Sequence, residues 1–349
     1  MTETRTRALL ALLTLILTTL ATPTVVIPAI NRLHSTRRFP PTYLPALEGP
    51  RERARFEETR VSDLRILQPG YVVIGDSMAG TRIDERRLGE LAGTQIAPLL
   101  QPGSGSAFWY LALKNWVIAS GIKPRMVIIF FRDTNLTDVM FRLDQQYRWA
   151  LDLAALDRED ELNGVIARAV GPLHRVHALL GRTTGAEEAR QWLEPALLRA
   201  PVESMISSRR RQAELLDAMN VRLGFDHLRP MQAADIQLGD APAFDFDHDV
   251  DRSVLPLMLR DAKQAGLTLC FVRVQRRPTA NRPPPQSAAL VAYVRSLRDY
   301  VTTNGGIFHD DTGDPALTID MYEDGDHLAR HARRRYTENF YNRLRPHFQ

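Results

Sequence analysis

Tyr71-Val72-Val73-Ile74-Gly75-Asp76-Ser77 is a short apolar run that stops at a glycine and presents a serine just past it. A run this short and this uniformly apolar predicts a parallel strand covered on both faces, because an alternating pattern would be expected if one face met water. The same pattern recurs outward along the chain. Further candidate strands are Gln95–Leu100, Met126–Phe131, Leu267–Val274 and Gly306–His309. Helix-like segments follow most of them, around Ile83–Leu91, Ala107–Ala119, Leu290–Thr302 and Leu328–Leu344. This β-then-α rhythm predicts a doubly wound α/β fold of the flavodoxin-like kind, a three-layer α/β/α sandwich around a parallel sheet of about five strands. Ligands of such sheets bind outside the carboxyl ends of the strands, and Ser77 lies just past the end of the first.

The remaining segments organise around that domain. Ala8–Ile30 carries no charged residue and follows Arg5 and Arg7. A bilayer needs about 20 apolar residues, so residues 1–30 are expected to form a transmembrane signal anchor; a cleaved signal peptide is the main rival, disfavoured by the length of the apolar part and the lack of a clear Ala-x-Ala site after it. Residues 31–64, with Pro40, Pro41, Pro45 and Pro50 and the run Arg51-Glu52-Arg53-Ala54-Arg55, predict a tether. The α/β domain is then expected over residues 65–349, with a helical insertion at about 138–250, between the third and fourth strands. Glu161–Ala169, Glu187–Arg199 and Glu203–Met219 are amphipathic there. The chain has 349 residues, 44% of them apolar and 25% charged, enough to bury a full core. Its net charge of +4 comes almost wholly from arginine and suits an anionic membrane surface or an acidic polymer. No basic stripe with interleaved aromatics points to nucleic acid. The single cysteine, Cys270, excludes an internal disulfide and sits in an apolar run, as a buried inert thiol would.

Near the other end, Asp324-Gly325-Asp326-His327 places an aspartate three residues before a histidine, at the mouth of the last helix-like segment. A serine needs a base to become a nucleophile, and the base needs a third group to hold its tautomer. Ser77, His327 and Asp324 supply the three. Asp326 adjoins the histidine and is expected to point elsewhere; His331, one turn on, is expected to face solvent.

The chain resembles the SGNH (GDSL-type) hydrolase and acyltransferase family through these two segments, over about residues 65–135 and 265–345. In that family the nucleophile lies in a Gly-Asp-Ser motif after the first strand, and the other two groups in a C-terminal Asp-x-x-His. The resemblance implies an oxyanion hole built from the Ser77 N–H, a glycine after the second strand and an asparagine after the third. Gln101-Pro102-Gly103-Ser104-Gly105-Ser106 offers Gly103, with Gly105 in reserve. The family's Gly-x-Asn-Asp is replaced by Phe131-Arg132-Asp133-Thr134-Asn135, which shifts Asn135 by one and leaves Arg132 and Thr134 as alternatives.

Other constellations are weaker. Asp245-Phe246-Asp247-His248-Asp249-Val250-Asp251 fails as an EF-hand, having Val250 and Pro256 where glycine and glutamate are needed. It predicts an acidic loop, with Asp251 or Ser253 capping the next helix. His309-Asp310-Asp311 predicts a solvated strand end rather than a metal site. Arg273, Arg276 and Arg277 close the fourth strand, and Arg132 and Arg273 are candidate contacts to an anionic substrate. Neither a metal nor a cofactor is called for.

Within the family, an anchored member with a large insertion is similar to the proteins that handle O-acetyl groups on bacterial exopolysaccharides beside a membrane-bound O-acyltransferase partner. The expected function is acyl transfer to, or ester hydrolysis on, a cell-envelope polysaccharide through an acyl-Ser77 intermediate. The alternatives are a membrane-tethered lipid or small-ester esterase, and a catalytically silent module that binds polysaccharide or scaffolds an acyltransferase. The resemblance places the domain in the periplasm, held at the cytoplasmic membrane by a single pass. A reporter fused after Gln349 should therefore be active only on the external side; cytoplasmic reporter activity contradicts this topology.

Overall fold

The computed structural model describes residues 43–47, 53–143, 147–156, 158–170, 244–278, 286–323 and 325–348. The chain divides into two compact units, residues 54–169 with 231–349, and residues 1–53 with 170–230. The first contains the sheet; of the second, the described residues are 43–47, 53 and 170. Ala8–Ile30, Glu187–Arg199 and Glu203–Met219 lie outside the described residues. No helix among the described residues is long and apolar enough to cross a membrane.

Five described strands form one parallel sheet: β1 (Tyr71–Gly75), β2 (Ile96–Leu100), β3 (Met126–Phe131), β4 (Leu269–Arg273) and β5 (Ile307–Asp310), in the order β2-β1-β3-β4-β5. In register, Gly75 pairs with Leu100, Ile74 with Ile129, and Phe131 with Arg273. The chain therefore steps from β1 outward to β2 and back across to β3, so the topological switch point lies between β1 and β3, the place where ligands of such sheets generally bind. β1, β3 and β4 are buried along their whole length, as their unbroken apolar runs require.

Successive strand residues face opposite layers. Tyr71, Val73, Ile128, Phe130, Cys270 and Val272 share a core with Ala332, Tyr336 and Phe340. That layer is built from α2 (Ser77–Arg82), α3 (Glu85–Ala92) and α10 (Arg330–Leu344). The other layer contains α1 (Glu58–Leu67), α4 (Ser106–Leu111), α5 (Arg148–Ala154) and α8 (Leu255–Gln264), with α6 (Asp160–Ala169), α7 (Phe246–Val250) and α9 (Ala288–Thr303) completing the described helices. Burial pushes the Cys270 thiol up to about 12, so it is inert at neutral pH.

Several expectations change. Within the span expected to be a tether, the compact unit that holds the sheet begins at Ala54 and α1 starts at Glu58. This segment is tied down by polar contacts that leave no hydrophobic periodicity: Glu57 N–H donates to the Leu153 carbonyl at 2.9 Å, and Arg65 donates to the Ser120 and Ala119 carbonyls. The helix expected around Ile83–Leu91 is α3, which starts at Glu85, and a separate helix not expected there, α2, precedes it. Ile83 is extended between them, and Asp84 caps α3 by accepting from Arg87 N at 2.9 Å. Past Leu111, α4 widens into a π-helical stretch, Ala112–Ile118. From it the adjacent Lys114 and Asn115 both reach the buried Glu159 carboxylate, at 2.8 and 2.7 Å. The acidic Asp245–Asp251 stretch is α7 rather than a loop, capped by Asp245 through His248 N. Ser253 accepts from Leu255 N at the start of α8.

The end of β5 is not solvated. Asp311 is fully buried, accepting from Tyr336 Oη and contacting His309 Nε2 and Arg343 Nη2, each at 3.0 Å. Burial acts to raise its pKa, but His309 and Arg343 outweigh it and hold the carboxyl below the ordinary value. A depressed carboxyl contributes stability that is complete above its unfolded pKa and is lost as pH falls through its folded one. Asp311→Asn should therefore destabilise the fold at pH 7 by about 3 kcal/mol, by leaving buried partners unpaired. In urea melts the gap between variant and wild type should narrow below about pH 4; a gap independent of pH contradicts this assignment.

Candidate active site

The turn that presents Ser77 is set by local sterics. β1 ends at Gly75, where an added Cβ would lie 2.6 Å from the Ala79 Cβ in the following helix. Asp76 is extended and caps α2, its carboxylate accepting from Met78 N at 2.8 Å. Ser77 is the first residue of α2, half-buried at the carboxyl edge of the sheet. Burial raises the Asp76 carboxyl above its ordinary value, opposed by the Met78 N–H and the positive charges of Arg142, Arg132 and Arg82.

His327 arrives from the opposite end of the chain on a short hairpin before α10. Tyr322 pairs with Leu328 in antiparallel fashion, and Glu323 N donates to the His327 carbonyl at 3.0 Å. Gly325 has φ of +41°, a left-handed turn suited to glycine. Leu328 N donates to Thr81 Oγ1 of α2 at 3.3 Å, so the hairpin is bonded to the helix that carries the serine. His327 Nε2 lies 2.8 Å from Ser77 Oγ. With the proton on Nδ1, Nε2 accepts the serine hydroxyl hydrogen, the arrangement a general base requires. Asp324 lies outside the described residues. His331 is exposed, as expected of it.

The turn after β2 abuts this site. Gln101 N and Ser104 Oγ both donate to the Gly75 carbonyl, at 3.0 and 3.3 Å, and Trp109 Nε1 donates to Ser104 Oγ at 3.0 Å. Gly103 has φ of +75°, and a Cβ there would meet Tyr147 Cε1 at 2.4 Å, so only glycine fits. At Gly105 a Cβ would lie 2.5 Å from the Phe141 carbonyl oxygen. Beyond β3, Asn135 is 8% exposed and its Nδ2 has no hydrogen-bond partner among the described residues. An unsatisfied buried amide is costly, so this one calls for an explanation. Asp133 between them holds φ of +46°, rare for a non-glycine residue.

Arg273 is 2% exposed, and its guanidinium is engaged by neighbouring side chains. It donates to Asp133 at 2.6 Å, Gln286 at 2.8 Å and Asp310 at 3.3 Å, joining the ends of β3, β4 and β5. Burial acts to raise the Asp133 pKa, but Arg273 and Arg276 together hold it below the ordinary carboxylate value. Arg132 is half the expectation: it borders the site at 12% side-chain exposure, yet its guanidinium is bonded to Asp326 at 2.5 Å. Two residues went unnoticed in the sequence. Arg82 is wholly buried within the site's framework, and Arg142 packs its guanidinium 4.7 Å from the Phe141 ring centroid and 5.2 Å from that of Tyr147, beside Gly103. Nothing in their sequence context distinguishes them from the chain's many surface arginines. Among the described residues, no group of His, Cys, Asp and Glu is arranged to hold a metal ion.

The Gly75 contact gives a direct check on the turn. Gly75→Ala should force β1 and α2 apart and destabilise the domain by about 1–3 kcal/mol, measured by chemical denaturation; an unchanged midpoint contradicts the tight turn. The chain matches no protein-family model and no curated protein.

Proposed function

We propose that this chain is a serine acyl-transfer enzyme acting on ester-bearing glycans of the cell envelope. The observation that carries the proposal is the 2.8 Å contact between Ser77 Oγ and His327 Nε2 at the carboxyl edge of a doubly wound sheet. A half-buried serine in hydrogen-bond reach of an imidazole is the minimum unit of nucleophilic acyl chemistry.

In this reading Ser77 Oγ attacks the ester carbonyl carbon while His327 Nε2 takes its proton. The carbonyl π pair moves onto oxygen, where the N–H groups of Ser77 and Gly103 and the Asn135 amide would stabilise the oxyanion. The unsatisfied Asn135 Nδ2 supports that last role, since a donor held ready for a transient charge has no resting partner. Collapse expels the alkoxide, which His327 protonates, leaving acyl-Ser77. His327 then deprotonates the acceptor, a sugar hydroxyl or water, whose oxygen attacks the acyl carbon; the carbon–Oγ bond breaks and His327 returns the proton to Ser77 Oγ. Asp324 would hold the imidazole tautomer. The glycan substrate, the O-acyltransferase partner and the periplasmic location rest on the resemblance described above and on the uncharged Ala8–Ile30 run.

Labelling with a fluorophosphonate probe tests the reading. Wild-type protein should be labelled and Ser77→Ala should not. His327→Ala should slow labelling on the order of a thousandfold or more. Asn135→Ala should lower turnover of p-nitrophenyl acetate by about a hundredfold. A transferase should pass the acyl group to an added oligosaccharide, an esterase to water alone. Folded wild-type protein that resists the probe would leave the silent binding module in place of the enzyme.

A further inference from the structure

Asp326, adjacent to the base, points away from it as expected, yet it is 4% exposed and engaged by two other loops of the sheet edge and by α2. Its Oδ2 accepts from Arg132 Nη1 at 2.5 Å, on the turn after β3. Its Oδ1 accepts from Arg277 N at 3.0 Å, on the segment after β4. Its carbonyl accepts from Arg82 Nη1 at 2.9 Å, at the end of the helix that Ser77 begins. Arg82 in turn spans to the Gln275 carbonyl at 2.9 Å and to Met78 O at 3.2 Å, and its guanidinium lies about 6 Å from the ring centroids of Tyr322 and Tyr336.

We infer that Asp326 is the positioning residue of the reaction, the node that sets His327 against Ser77, with Arg132 and Arg82 as its two braces. The inference rests on the acyl-transfer reading above. The residue before the base has its backbone held by the nucleophile's helix and its side chain held by the loop that carries Asn135. Arg132 also accepts from Asn135 N through its own carbonyl, at 2.9 Å, so one residue links the base loop to the oxyanion loop. Three groups that must converge within tenths of an ångström thus share one buried node. Arginine suits the braces because its planar, forked donors reach two acceptors at once, which a lysine ammonium on a flexible stem does not reproduce. Misplacement by about 1 Å can cost a hundredfold in rate, so the effect belongs in turnover rather than in substrate binding.

The test measures Asp326→Asn and Arg132→Gln by fluorophosphonate titration, which separates the fraction of competent sites (final amplitude) from the rate at which each reacts. Both variants should label to full amplitude, with the rate constant and kcat for p-nitrophenyl acetate reduced about tenfold to a hundredfold and KM within about twofold. The double variant should be little worse than either single one, because the two residues act as one pair. Arg132→Lys should recover part of the rate by restoring the charge. A reduced amplitude at the wild-type rate would show that Asp326 only supports folding, and overturns the inference; so does a wild-type rate at full amplitude. Failure of the wild-type protein to label at all refutes the serine reading itself, whereas normal wild-type labelling with normal variants refutes only the positioning role.

Discussion

The contact between Ser77 and His327 joins residues 250 positions apart, and the fold on either side is arranged so that this one distance is kept. The serine is fixed by a strand whose every residue is buried and by a glycine that lets the next helix close against it. The histidine has no such strand. Its hairpin is held by bonds to α2, through Thr81 and Arg82, and to the loops after β3 and β4, through Arg132 and Arg277. A parallel sheet makes this economy available, because every strand delivers its following loop to the same edge.

The interior of that edge is unusually ionic. Arg82 and Arg273 are buried, and the latter sits among Asp133, Asp310 and Gln286. Burying charge in this way is costly, and a well-packed apolar replacement is often no less stable. What the ionic arrangement adds is direction: guanidinium forks and carboxylates fix the loops in angle as well as distance. The left-handed backbone at Asp133 is held in the same way, by Arg273 and Arg276 gripping its side chain. The strained turn then presents Asn135, two residues on, with its amide nitrogen unsatisfied.

These properties differ in how plainly the sequence carries them. The strands were legible because a parallel strand writes itself as a continuous apolar run: Met126–Phe131 matches residue for residue, and Tyr71–Ile74 falls short of β1 only by Gly75. The serine and histidine were legible because their motifs abut such elements. The break at Ile83–Asp84 was not, since it depends on Thr337 Oγ1, from α10, accepting from Asp84 N. Nor were the roles of Arg82, Arg273, Asp311 and Asp326, because charge says nothing about burial until the partner is known. For Arg273 and Asp133 the partners stand 140 positions apart, and for Arg82 and Asp326, 244. Helix α1 was hidden for a related reason, its attachments being arginine-to-carbonyl bonds rather than an apolar stripe.

The central claim is that Ser77 carries the acyl group in transit. It is tested most directly by mixing the protein with a slowly deacylating ester, quenching in acid and mapping the modified peptide by mass spectrometry. The account predicts one acyl increment, on Ser77 and on no other residue. An acyl group on a different residue, or none on folded protein that turns the ester over, contradicts it.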